Sequence, residues 1–418
     1  MLRQKTLADQ ILDLIVGDNG SWIDDLMNDS YGILDAQAEY VPRDFLLPGW
    51  RLGVDQLDQF AFGPHRGALC ERWIGSCTTC DNGPLTLEHE GITKIWFRGK
   101  RIPLTWICAA HPQAVLGELA TIFGVVPGYY NKFFDFGQHI LHHLHQQASI
   151  AFVNGEPCML GEQAMGKDEG YKFPRQYNHP RTAGSQVMTL FGLRKGTTHG
   201  EIAERLALWE IDDNRLLNLA QARTLETDVN WFVPSGYLHA PGPLLTEEPQ
   251  EGTDVFSMFQ NVVQAKYTPR ELLEKNFDPA HAGNNDALAR TVDLELNARP
   301  PEDFMIRPSL KSLSEAHVES FEVFGKNPDK GYQPFCLVET IVGPGKSIVL
   351  DKEGFHSVIC MEGSGTIATA DGQGEREIRA HRSIRFGEAS HDEKVITADR
   401  AKEGVKYTNT SNGPLVLH

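Results

Sequence analysis

The stretch GQHILHHLH, from Gly137 to His145, decides how the rest of the chain is read. His143 and His145 are two residues apart. Alternate side chains of a β-strand share a face, so this spacing points both imidazoles into one space. Two imidazoles on one strand face make half of a divalent metal site. Strand parity excludes His142 from that face, and His139 lies roughly 13 Å along the strand from His143, too far to join the same ion. A second stretch, VPSGYLHAPG from Val233 to Gly242, offers a turn (Pro234, Ser235, Gly236) and then His239.

Around these stretches the composition sets bounds. A chain of 418 residues exceeds what one hydrophobic core usually serves, so two or three domains are expected. The 41% hydrophobic and 23% charged fractions are those of a water-soluble globular protein. With 39 Gly and 23 Pro, turns are frequent, which suits many short strands. A net charge of −17 repels nucleic acid and anionic membrane, so neither is an expected partner. The apolar run near the N-terminus is broken by Asp9, Gln10 and Asp13, lacks a small-residue cleavage site, and no apolar stretch is long enough to span a bilayer. The 7 cysteines are scattered, which fits reduced thiols, and a cytoplasmic protein is expected. Cys77 and Cys80 form a lone CxxC, a weak metal or redox signal without a second pair.

Read in order, residues 5–16 and 21–28 have helical spacing. Ile92–Phe97 and Leu104–Cys108 read as strands about the turn at Arg98-Gly-Lys. Residues 112–123 read as a helix opened by Pro112 and closed before Gly124. Strands are expected at 133–140, 149–153, 186–193, 231–234 and 255–265, with helices at 199–208, 213–222 and after Thr268-Pro269. Residues 276–310 are polar and read as a connector, helical around 286–292. From 330 onward, short alternating strands with Gly-rich turns suggest a small β-sandwich or barrel. The chain is therefore read as mainly β, with two jelly-roll barrels and helical additions. Residues 1–130 complete the first barrel, 131–275 carry the metal, 276–329 connect, and 330–418 form the second barrel.

The G-x5-H-x-H spacing of Gly137 to His145 resembles the first motif of the cupin superfamily, whose barrels carry metal on inward-facing strand residues. That motif continues to a Glu, where this chain has Ser149 and Ile150. Pro234-Ser-Gly-Tyr-Leu-His239 resembles the second cupin motif, P-x-G-x-x-H.

A tighter resemblance is to the type I phosphomannose isomerases, zinc cupins. Glu71-Arg-Trp73-Ile-Gly75-Ser76 resembles their E-x-W-x-G-[TS], and His143-Leu-His145 aligns with their Q-x-H pair. Val233 to Ala240 is similar to V-P-A-G-x-x-H-A, and Asn261 to Arg270 to N-V-V-R-A-G-L-T-P-K. Their N-H-K-P-E segment supplies a Glu ligand ahead of a strand ending L-C-G-F. Counting back by the same interval from Leu190-Phe-Gly192-Leu193 places His179 at that ligand, with Glu169 in GKDEGYKFP as the alternative. The resemblance covers residues 60–275.

This resemblance implies one divalent metal, zinc before Fe, Mn or Ni, held by His143, His145, His179 and His239. It implies an aldose–ketose isomerase acting on a small carbohydrate, in which the metal stabilises an enediolate while a base moves a proton between C1 and C2. By register, Tyr177 stands at the family's Lys and Gln264 at its Arg. Lys266 is an added cation, and these three are the candidate catalytic residues. Arg270 keeps the charge at the phosphate end, and Glu71 and Trp73 are further substrate-binding candidates, with a structural packing role as the other reading. These departures put mannose 6-phosphate itself in doubt, and a homodimer is among the expectations. Two other readings stay open: an Fe(II) cupin oxygenase on the same histidines, and a sugar-binding bicupin without catalysis. In the second barrel, His356, His381, Glu388 and His391 come without an H-x-H pair, and a metal-free barrel is expected.

Overall fold

The computed structural model describes residues 20–136, 143–144, 151–153, 156–158, 167–178, 187–227, 229–240, 242–263, 266–275, 282–314, 318–324, 335–351, 354–381 and 383–418, with the single positions Thr6, Ala8, Gln10 and Ile15. The helix expected over 5–16 lies outside the described residues apart from those single positions.

The fold is mainly β, and its four larger sheets stack in layers. A seven-stranded antiparallel sheet has the spatial order Met305–Ile306, Asn230–Val233, Glu169–Tyr171, Thr246–Glu251, Tyr129–Phe134, Leu69–Ile74, Glu39–Pro42. One face meets a five-stranded sheet of Ala220–Thr224, Met188–Leu193, His239–Ala240, His143–Leu144 and Ser257–Met258. Phe134, Tyr171 and Trp231 from the first sheet pack there with Phe191 and Met258 from the second.

Its other face meets a nine-stranded sheet, where Tyr40, Leu69 and Phe133 pack with Ile359, Met361 and Val416. That sheet in turn covers a four-stranded sheet, with Val358, Ile396 and Leu417 against Ile367, Val405 and Tyr407. The seven-stranded sheet is thus covered on both faces, and all six residues of Thr246–Glu251 are buried although five are polar. Alternation along such a strand sends neighbouring side chains into two different layers.

The N-terminal segment serves both sandwiches. Glu39–Pro42 and Leu69–Ile74 join the seven-stranded sheet, whereas Ile33–Gln37 pairs with Ala389–Ile396 in the nine-stranded one. The polar stretch read as a connector contributes Met305–Ile306 to the seven-stranded sheet and Ser309–Ser314 to the nine-stranded one.

Several local expectations change. Leu104–Ala110 is a helix, not a strand. Leu104, Ile107 and Cys108 fall on one helical face and are fully buried against Ile23, Leu26 and Val115. Residues 112–123 form two short helices, broken at Gly117 with φ 59°. Residues 213–222 hold a turn of 3-10 helix at Leu216–Leu219 and then the strand Ala220–Thr224. Arg215 at φ 50° opens that turn, while Asn214 is tied to the Phe259 carbonyl. The helix His199–Leu206 is as expected, held by a capping box between Thr198 and Glu201. No helix among the described residues is long and apolar enough to cross a membrane.

Candidate functional site

His239 follows a turn pinned from two sides. The Ser235 N–H donates to Asp168 Oδ1 at 2.8 Å, and Leu238 N–H to Asn297 Oδ1 at 2.7 Å. Gly236 sits at φ 86°, as the turn requires. His239 Nδ1 lies 2.8 Å from the Tyr237 carbonyl. A carbonyl only accepts, so Nδ1 carries the proton and Nε2 keeps its lone pair. Burial holds the imidazole below its ordinary pKa, although Glu169 opposes this.

His239 Nε2 faces Glu169 Oε1 at 3.6 Å, and both residues are fully buried. Glu169 opens the Glu169–Tyr171 strand, paired on one side with Val233 and on the other with Gln250. Tyr171 stands beside both groups: burial and the nearby Glu169 charge push its hydroxyl well above the ordinary tyrosine value, and its ring meets His239 edge-on, centroids 5.8 Å apart.

Beside this pair lies a cavity of about 40 Å³ between the seven- and five-stranded sheets, lined in part by Glu71, Lys132, Tyr171 and Glu248. Its charges are interlocked. Lys132 Nζ is 2.9 Å from Glu248 Oε1. Lys167 Nζ is 3.5 Å from Glu169 and 3.6 Å from Glu248. Burial, then Glu169, pushes the Glu248 carboxyl well above the usual carboxylate range, against the pull of both lysines. Arg43 bridges Glu71 and Asp254, each at 2.9 Å, and Trp73 Nε1 donates to Glu71 at 2.7 Å. Phe45, Phe134, Phe136 and Phe256 supply the apolar wall.

The expected residues fall in different places. The His239–Ala240 strand pairs antiparallel with His143–Leu144, setting His143 across from His239 in register. His145, His179 and Gln264 lie outside the described residues. Glu71 reaches the cavity, and Trp73 is fully buried behind it. Tyr177 lies on the opposite face of the seven-stranded sheet, its ring centroid 6.0 Å from that of Phe133. Lys266 is exposed and donates to the Asp44 carbonyl. Arg270 is held by Glu274 and Asn285 in the helical addition, at 2.6 Å from each. Neither Lys266 nor Arg270 lines the cavity. The CxxC cysteines are both buried free thiols: Cys77 beside Cys108, and Cys80 Sγ 3.2 Å from Glu90.

Sequence reading missed Arg43, Lys132, Lys167, Tyr171, Glu248 and Asp254. One signal was present, because Lys167-Asp-Glu169 has the K-x-E spacing of the N-H-K-P-E segment.

The donors present suit a borderline divalent metal: a fully buried imidazole nitrogen and a fully buried carboxylate beside it, with a second histidine, His143, across the strand pair in register. Among the described residues, no three His, Cys, Asp or Glu side chains form a complete group.

No family model matches the sequence, and no curated protein does. Solved structures match in fold. A variant of the phosphomannose isomerase from Salmonella typhimurium is 14% identical with a TM-score of 0.56, covering 92% of this chain and 98% of its own. A zinc-bound mannose 6-phosphate isomerase is 12% identical with a TM-score of 0.58, over 92% and 98%. A mannose 6-phosphate isomerase bound with zinc and yttrium is 14% identical with a TM-score of 0.55, over the same 92% and 98%. The chain therefore has the fold of the phosphomannose isomerases, as the motifs led one to expect.

Proposed function

We propose that this chain is a metal-dependent aldose–ketose isomerase acting on a carbohydrate. One observation carries the reading: buried His239 and Glu169 face each other at 3.6 Å beside a cavity lined by Lys132, Lys167 and Glu248. The fold it shares with zinc-bound isomerases supports the same reading.

His143, His145, His239 and Glu169 would hold the ion, with Glu169 in the place first assigned to His179. A bound divalent ion supplies Lewis-acid stabilisation of negative charge on the sugar oxygens. The chain's own groups do the rest. The Tyr237 carbonyl fixes the His239 tautomer, and Lys167, 3.5 Å away, holds the Glu169 carboxylate. Lys167 and Glu248, 3.6 Å apart at the cavity, form a pair in which one group can accept a proton and the other donate it. In the reaction a hydrogen moves from C2 to C1 and the O2 hydroxyl proton moves to O1, so no outside oxidant is needed. This pair lines the cavity, unlike Lys266 and Tyr177, and we assign it the proton transfer.

Elemental analysis of purified protein and C2-proton exchange in deuterated water with a sugar panel test the reading together. Stoichiometric divalent metal with metal-dependent exchange is expected. Metal-stripped protein that exchanges at the full rate would remove the mechanism.

A further inference from the structure

We propose that the sugar entering this cavity carries no phosphate. The inference rests on the isomerase reading and adds the substrate's charge class to it. Each cation lining the cavity among the described residues is already matched by a carboxylate. Arg43 has five N–H donors to give. Its Nε binds Glu71 at 2.9 Å, its Nη2 binds Asp254 at 2.9 Å and Glu71 at 3.3 Å, and its Nη1 reaches the Asp81 carbonyl and Asn82. Lys132 pairs with Glu248, and Lys167 sits between Glu248 and Glu169. Behind the aromatic wall, Lys275 lies 3.5 Å from the Phe256 ring centroid and pairs with Asp81 at 2.9 Å.

Three cations thus stand among four acidic side chains: Arg43, Lys132 and Lys167 with Glu71, Glu169, Glu248 and Asp254. A phosphate dianion moved from water into such a place loses its hydration and meets cations whose charge is already neutralised. Arg270, the residue expected at a phosphate end, is engaged elsewhere by Glu274 and Asn285, and the added cation Lys266 by the Asp44 carbonyl. Hydroxyl groups are the opposite case. They both donate and accept, so they can insert among paired ions without adding charge. The aromatic wall of Phe45, Phe134, Phe136 and Phe256 suits the C–H faces of a sugar.

The test uses the zinc-loaded full chain and two probe pairs: sorbitol against sorbitol 6-phosphate for binding by calorimetry, and free aldoses against their 6-phosphates for C2-proton exchange. The uncharged member of each pair should be favoured by about tenfold or more. Tighter binding or faster exchange of the phosphorylated member overturns the inference and leaves the isomerase reading standing. Sorbitol binding with no exchange on any sugar supports the charge class and overturns the isomerase reading. Binding of neither polyol overturns the inference. Asp254→Asn releases one side of Arg43 and should narrow the preference against sorbitol 6-phosphate by about tenfold. If that variant does not fold, the native-chain comparison decides alone.

Discussion

Glu169 Oε1 stands 3.6 Å from His239 Nε2, and the Tyr171 ring meets His239 edge-on with centroids 5.8 Å apart. If Glu169 and His239 hold the metal as proposed, removing either should empty the site before it unfolds the barrel. His239→Ala and Glu169→Gln should each weaken zinc binding by about 100-fold or more, and Tyr171→Phe, which keeps the ring against His239 and both donors in place, by less than about tenfold. Competition with a chromophoric chelator measures this. Native affinity in Glu169→Gln would return the carboxylate position to His179.

Arg43 holds a network whose loss should be felt in stability. Burial works to raise the Glu71 carboxyl, but Arg43 and then Lys132 overcome it and hold it at about 2. A depressed carboxyl stabilises the fold above its unfolded value near 4.5, and that contribution is lost as pH falls through the folded value. Arg43→Met leaves Glu71 and Asp254 buried without their cation, at a cost of about 3–5 kcal/mol near neutral pH. The gap from the native chain should shrink between about pH 4.5 and 2 as Glu71 protonates. Denaturant titrations across that range test both the size and the sign; a gap that grows on acidification contradicts the assignment.

Legibility in the sequence followed how local the determinants were. His239 was legible because its turn is specified within a few residues, by Pro234 and Gly236. Glu248 was not. In TEEPQE, neighbouring acids look like a solvated edge, and only the stacking of sheets on both faces sends Glu248 to the cavity and Glu247 the other way. Lys167 and Glu169 were displaced by counting back from Gly192 at a fixed interval, which assumes an intervening segment of constant length. The helix at Leu104–Ala110 was read as a strand because its apolar residues are dense enough to satisfy either period. Both barrels were expected from strand density, but the sharing of the N-terminal strands between sandwiches is a long-range pairing that no local pattern encodes.

Gly192 joins the strand that flanks His239 to the turn that carries it. It lies at φ 61°, at a register shift between Phe191 and Leu193. A Cβ there would sit 2.5 Å from the Asn297 carbonyl oxygen and 2.6 Å from the Tyr237 hydroxyl. Asn297 also holds the Leu238 N–H, one residue before His239. Gly192→Ala should cost about 3 kcal/mol and also weaken zinc binding, because relief of the clash moves the His239 turn. Thermal melts with and without zinc measure both; an alanine variant with native stability would show that the bulge relaxes freely.

His418 clamps the two sandwiches together on the face of the sheet opposite the cavity. Its Nδ1 lies 2.7 Å from Glu247 and its Nε2 2.9 Å from Glu339, which also takes Lys172 at 2.9 Å. Glu247 is the strand neighbour of Glu248, and Lys172 follows the strand of Glu169. Burial works against a charged ring, and Lys172 does too, but Glu247 and the hydrogen bonds to both carboxylates lift His418 above the ordinary histidine value. Burial likewise works to raise Glu339, yet His418 and Lys172 hold it well below the usual carboxylate range. A raised histidine contributes fully below its unfolded value near 6.5 and loses that contribution as pH rises through the folded value. A depressed carboxyl contributes above its unfolded value near 4.5 and loses that as pH falls. The clamp is therefore complete between those limits. His418→Gln, which keeps a polar side chain and removes the charge, should destabilise the chain by about 3 kcal/mol near pH 6, and by less near pH 9. Denaturant melts at the two pH values decide it: a deficit that stays constant or grows toward alkaline pH would mean that His418 is held neutral and acts by packing alone.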